Sequence, residues 1–167
     1  MIKEAAVLVL TYHKDHDHHL VLTKRTEQVE HHKGQICFPG GVKDEKDCDL
    51  WETALRETKE ELGVNPDQVT FLGKLNQVIT PTEFRITPYV ASLVCLLPWQ
   101  PNPTEINQVF SISFSHLYNP QNFCLQKKVY SGVEYDDPLF TYGEHHIWGA
   151  TGRIIVDLLE KWKSFLK

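Results

Sequence analysis

Residues 49–63 carry the best-defined helix in the chain, and most of what flanks it reads as strand, which restricts the fold to a class that mixes the two. Leu50, Ala54, Leu55 and Leu62 fall near one side of that helix, so this stripe, Leu55 included, is expected to face a core. Gly63 suits the C-terminal cap, because glycine enters the left-handed region without a Cβ clash. Upstream, residues 4–12 and 19–25 are rich in Val and Leu with partial alternation, and they predict a hairpin. The polar run 13–18 between them, with His13, His16 and His18, reads as a surface loop; its histidines lack a fixed ligand geometry.

Downstream, residues 69–79, 84–97, 107–114 and 123–130 have strand-like content, separated by proline-bearing stretches such as 98–103. Residues 147–166 place Ile154, Ile155, Leu158, Leu159, Trp162 and Phe165 at helical spacing, so this last helix should lay one face on the sheet. The expectation is an α/β (α+β) chain with a mixed sheet. With 167 residues there is material for one substantial core and too little for two, which predicts a single domain over 1–167.

Charge and composition remove several function classes. A net charge of −5 argues against sequence-independent nucleic-acid binding, which relies on clustered Lys and Arg. Small anionic substrates stay compatible with it, because a bound cation reverses the local sign. No segment approaches the roughly 20 apolar residues of a membrane span, and the start reads as a strand and not a signal peptide, so a cytoplasmic location is the default. Cys37, Cys48, Cys95 and Cys124 form no Cys-x-x-Cys pair, which points to reduced thiols and away from a zinc ribbon.

The chemistry concentrates in two adjacent segments: the loop Gly34-Gln35-Ile36-Cys37-Phe38-Pro39-Gly40-Gly41, and the helix containing Arg56, Glu57, Glu60 and Glu61. With about 100° per residue, Glu57 and Glu61 lie one turn apart on the same side and Glu60 on its flank, so three carboxylates should converge. Like charges that close repel, and a divalent cation with hard oxygen preferences, Mg²⁺ or Mn²⁺, would remove the repulsion. The competing explanation is a solvated charged face in which Arg56 pairs with Glu60 at i, i+4 and nothing binds. Pro39-Gly40-Gly41 tips the balance, since glycine lets the backbone approach a ligand closely.

Gly41 through Val64 resembles the Nudix box, the signature of hydrolases of nucleoside diphosphates linked to another moiety. The run Arg56, Glu57, Thr58, Glu60, Glu61, Gly63, Val64 follows its core, with Thr58 where an aliphatic residue is usual. Two features differ upstream. The interval from Gly41 to Arg56 is one residue longer than usual, and Cys48 stands where the box has a glutamate, leaving Asp44, Asp47 or Asp49 to take over. The resemblance implies a Nudix-type α/β/α sandwich, metal ligation by Glu57, Glu61 and the Gly41 carbonyl, and Arg56 orienting the glutamates. Glu60 would bind a further ion or activate water, with the loop carboxylates Glu105, Glu134 and Glu144 as alternative bases.

Leu22-Thr23-Lys24-Arg25-Thr26, Gly34-Gln35 and Phe38-Pro39-Gly40-Gly41 are further similar to the signature of the coenzyme A diphosphatases within that family. Thr80-Pro81-Thr82, Ile86-Thr87-Pro88-Tyr89-Val90 and Ile147-Trp148-Gly149-Ala150-Thr151 look like later landmarks of the same group. The similarity implies substrate binding by Arg25, Lys24, Lys33 and Gly40, and cleavage of coenzyme A or an acyl-CoA to 3′,5′-ADP and (acyl-)4′-phosphopantetheine. Where the signature has an arginine between Arg25 and Gly34, this chain has Glu30 beside His31 and His32. An anion there disfavours a 3′-phosphate unless Arg25, Lys24, Lys33 or a histidine compensates. That position keeps ADP-ribose, another nucleotide sugar or a nucleoside triphosphate as the alternative substrates. A non-catalytic nucleotide-binding module is the third reading, and it should show gaps among Glu57, Glu60 and Glu61, all of which are present. Cys37 has no identifiable base, so it is expected as a buried strand residue and not a nucleophile. The expected partner is a small nucleotide, with no nucleic acid and no membrane, and a homodimer is left open.

Overall fold

A computed structural model describes residues 2–28, 34–94 and 98–166. The predicted hairpin is formed by β1 (Lys3–Lys14) and β2 (Asp17–Arg25), paired antiparallel from Thr11↔Leu20 to Lys14↔Asp17. Its connection is shorter than residues 13–18. Only Asp15 and His16 leave the ladder, both with positive φ (52° and 64°), the conformation of a two-residue turn whose twist matches the strands. His13 and His18 are therefore cross-strand neighbours, and the ring of His18 lies 5.0 Å from that of Trp162.

The short strands β3 (Ile36–Cys37) and β4 (Gly40–Val42) precede helix α1 (Leu50–Leu62). The Asp49 carboxylate accepts the Glu52 N–H at one end of α1, and Gly63, at φ 72°, donates its N–H to the Lys59 carbonyl at the other. Then come β5 (Val69–Lys74), β6 (Val78–Ile79), β7 (Phe84–Leu93) and β8 (Ile106–Ser113). The large sheet is ordered β3-β2-β1-β7-β5, with β4 on β1, β6 on β7 and β8 on β2. β1 and β7 run parallel while the other pairs are antiparallel, so the sheet is mixed, as expected.

A short helix and the last two strands escaped the sequence. Ser113 ends β8 and caps a short helix α2 (Phe114–Tyr118), so Phe114 is helical and not the last strand residue. After β9 (Phe123–Tyr130) the chain turns back through β10 (Val133–Tyr142) and β11 (His145–Ile147), a three-stranded antiparallel sheet. Pro138 hides β10, since proline rarely occupies a ladder; here β11 reaches only Phe140 to Tyr142, and Pro138 has β9 alone beside it. Helix α3 (Gly149–Phe165) begins two residues later than expected because Ile147 still belongs to β11.

Alternation along the strands sorts the core into two. Ala6, Leu8, Leu10, Val21, Ala91 and Leu93 face α1 through Ala54 and Leu62. Val9, Leu20, Leu22, Val90 and Ile112 face α3 through Ile154, Ile155, Leu158 and Trp162, together with Phe140 and Ile147 of the small sheet. Helices thus cover both faces of the sheet, the α/β/α sandwich. Leu55 is only partly buried, so the core stripe of α1 runs through Thr53, Ala54, Thr58, Glu61 and Leu62 instead.

Candidate active site

α1 packs over β4, and this contact puts the glutamates beside the glycine pair. β4 lies against β1 with Gly40 opposite Val7 and Gly41 opposite Ala6. A Cβ on Gly40, at φ 151°, would strike the Ala6 carbonyl and Val7. A Cβ on Gly41 would sit 2.6 Å from the Glu57 carboxylate carbon. One glycine therefore permits the strand pairing and the other leaves the room that Glu57 fills.

Glu61 is the most deeply placed of the acids, its side chain 2% exposed. It accepts the Gly40 N–H at 3.1 Å and Arg25 Nη1 at 3.3 Å. Burial outweighs these contacts and pushes its carboxyl up to about 8. Burial also raises Glu57, against the opposing pull of Arg56. Glu60 stays on the outer side, more than half exposed.

Arg56 organises this set. Its Nη1 donates to Glu57 at 2.8 Å and to Glu60 at 3.3 Å, while Nε and Nη2 hold Asp47 bidentately at 2.9 and 3.0 Å. Asp47 is buried and also accepts Thr53 Oγ1 and the Asp44 N–H, and the Arg56 guanidinium draws its carboxyl well below the usual range. Of the three aspartates left open by the sequence, Asp47 is the one that meets Arg56. Asp49 caps the helix, Asp44 accepts the Lys46 N–H, and Cys48 is exposed. Thr58 occupies its buried position by donating its hydroxyl to the Ala54 carbonyl at 2.7 Å.

The convergence of three carboxylates is only partly realised. Among the described residues, no three His, Cys, Asp or Glu side chains are gathered closely enough to hold an ion. Arg25 and Arg56 stand between the acids and damp their mutual repulsion. The donor chemistry still fits a hard divalent cation: the acids offer only oxygen, and Glu61 is a buried group whose ionised form lacks sufficient compensation. Among the alternative bases, Glu105 lies near enough for its charge to raise both Glu57 and Glu61, whereas Glu134 is paired with Lys127 on β10 and Glu144 is exposed beside Gly143.

Next to the glycine pair opens a cleft of about 450 Å³. Arg25, Gln35, Phe38, Gly40 and Gly41 line it together with Thr80 to Thr82, Phe84 and, from the start of α3, Trp148 to Thr151 and Arg153. Arg25 and Gly40 therefore border both the acids and the cleft. Lys24 alternates away from Arg25 along β2 and does not line it, while Lys33 and Glu30 lie outside the described residues. Cys37 is held in β3 against Thr23, and burial pushes its thiol up to about 11, opposite to what a nucleophile needs.

The pattern of the NUDIX domain matches residues 2–127. The chain belongs to the Nudix family. It is 32% identical to the Uncharacterized Nudix hydrolase NudL of Photorhabdus laumondii, over 85% of this chain and 76% of that protein. It is 36% identical to the human mitochondrial coenzyme A diphosphatase NUDT8, over 81% of this chain and 59% of NUDT8. A MutT/nudix family protein from Enterococcus faecalis superimposes with a TM-score of 0.64 at 13% identity, covering 99% of this chain and 62% of that one, a likeness of fold. As a Nudix hydrolase the protein is a pyrophosphohydrolase, of a family that acts on small nucleotides with divalent cations. No described helix is long and apolar enough to cross a membrane.

Proposed function

We propose that the protein hydrolyses the pyrophosphate bond of coenzyme A or an acyl-CoA, releasing 3′,5′-ADP and (acyl-)4′-phosphopantetheine. One observation carries this reading. The stretches that resemble coenzyme A diphosphatases are scattered along the sequence, yet Arg25, Gln35, Phe38, Gly40, Gly41, Thr80, Thr82, Ile86, Trp148 and Thr151 line a single cleft. The similarity to NUDT8 points the same way.

Glu57, Glu61 and the Gly41 carbonyl would hold Mg²⁺ or Mn²⁺. When bound, the cation supplies Lewis acidity, lowering the pKa of a water and offsetting charge on the phosphate oxygens. Arg56 sets the rotamers of Glu57 and Glu60, and Asp47 fixes Arg56. Glu60, outermost and solvated, accepts the proton of the attacking water. That water forms a bond to one phosphorus as the bond from this phosphorus to the bridging oxygen breaks. Arg25 and the Gly40 backbone meet the diphosphate at the mouth of the cleft. The protein acts in the cytoplasm on a free nucleotide.

Mass spectrometry of products after incubation with coenzyme A, ADP-ribose and nucleoside triphosphates, each with Mg²⁺ or Mn²⁺, tests the proposal. Formation of 3′,5′-ADP is expected; exclusive turnover of another substrate would replace coenzyme A in the assignment.

A further inference from the structure

The lining of the cleft contains a cation that the proposed hydrolysis does not use. Of the four arginines in the sequence, Arg25 pairs with Glu61, Arg56 with Asp47 and Arg85 with Glu4. Arg153 alone makes no ion pair among the described residues; its Nε donates to the Gly149 carbonyl at 3.3 Å, and both Nη groups are left over. It is half-buried in a lining that includes Ala5, Val7, Phe84, Ile86 and Ile154, with its terminal N–H donors open to an incoming anion.

Five residues earlier, Trp148 also lines the cleft and is 41% exposed. Lys128 Nζ sits 3.5 Å from the centre of its ring and is held at 3.0 Å by Oδ2 of the buried Asp137, the same oxygen that accepts the Gly149 N–H. Lys128 is not part of the cleft lining, so this cation covers the indole from behind and keeps it in place. A planar platform and a fork of N–H donors thus both border the cleft at the start of α3. A nucleobase stacks on the first, and a phosphate monoester matches the second bidentately. The pantetheine arm would satisfy the apolar lining but leave Arg153 unpaired.

Resting on the coenzyme A reading for its substrate class, we propose that the part of the cleft bordered by the start of α3 receives the nucleoside arm, with Trp148 stacking the base and Arg153 reading a phosphate monoester on the ribose. Arg153 then supplies a basic contact that the sequence lacks at Glu30.

The test is equilibrium binding of adenosine 3′,5′-bisphosphate and of 5′-AMP by calorimetry, without turnover. The wild-type protein should favour the bisphosphate by about tenfold or more. Arg153→Gln should erase that preference while leaving 5′-AMP binding near its original value, and Arg153→Lys should restore part of it. Trp148→Leu should weaken both ligands alike, with thermal melts confirming that each variant is folded. Equal affinity of the wild type for the two ligands, or a preference that survives Arg153→Gln, would overturn the proposal. A retained preference in a protein that does not cleave coenzyme A would sink the substrate reading and leave this one standing; cleavage without the preference would do the reverse.

Discussion

α3 meets the central sheet with Ile154, Ile155, Leu158 and Trp162, whereas α1 turns Thr53, Thr58 and Glu61 inward beside Ala54 and Leu62. Both helices are amphipathic and both are buried on one side, yet only one of them buries a carboxylate. The α3 interface follows from the hydrophobic effect, with large apolar side chains removed from water. The α1 interface gives up some of that gain to keep oxygen donors and a guanidinium in fixed positions. The buried polar groups and the large apolar contacts of the two helices thus lie on opposite faces of one sheet, and substitutions should separate them.

The largest effect is expected on the α1 side. Glu61→Gln should lower kcat by about a hundredfold or more, since it removes a ligand of the proposed cation. Its melting temperature should hold or rise, because the buried acid is no longer there to ionise. Addition of Mg²⁺ should raise the melting temperature of the wild type but not of this variant. Near-normal turnover in Glu61→Gln would remove the basis for placing the cation here.

Leu158→Ala, on the α3 side, should do the opposite. A fully buried leucine lost from the core costs about 2 to 5 kcal/mol in denaturant titrations, with kcat/KM preserved in the folded fraction. A large fall in kcat/KM without loss of stability would show that the division between the faces is false.

Asp47→Asn should fall between the two, because Asp47 is both buried and tied to the site. Loss of its charge-assisted bonds to Arg56 should cost about 2 kcal/mol and also lower kcat as Glu57 and Glu60 lose their alignment. The pH dependence has a definite sign. The Asp47 carboxyl is depressed in the folded state, so its contribution is complete above its unfolded pKa of about 3.9 and is lost as pH falls further. Urea midpoints of the wild type should therefore drop below about pH 4, and Asp47→Asn should flatten that acid limb.

Leu55→Ala should show the smallest effect, about 1 kcal/mol, because Leu55 is only partly covered. A cost as large as that of Leu158→Ala would mean that α1 also relies on apolar burial at its outer edge.

What the sequence made legible was local. Asp49 and Gly63 bracket α1 through contacts within a few residues, and β9 begins and ends where its Phe-to-Tyr pattern does. What it concealed depends on distant partners. Pro138 reads as a break until β11 is seen to stop short of it. Asp44, Asp47 and Asp49 are equivalent on paper; the path of the loop before α1 selects Asp47 for Arg56. The pairing of Arg25 with Glu61 spans 36 positions and has no local signal. The histidine-rich run misled through composition, since a two-residue turn lets four of its six residues stay in the ladder, from His13↔His18 to Lys14↔Asp17.

The parallel union of β1 with β7 bears on how the molecule assembles. Thr11 donates its hydroxyl to the Ala91 carbonyl, a residue 80 positions away, and the chain that closes this loop includes β4 and α1. Contacts of such sequence separation form slowly, because the entropy of closure must be overcome before any of them stabilises the chain. α1 lies within this loop and packs its apolar face on Ala91 and Leu93 of β7, so its full seating on the sheet should follow the slow closure. Nascent or refolding protein should therefore regain catalysis only after that closure.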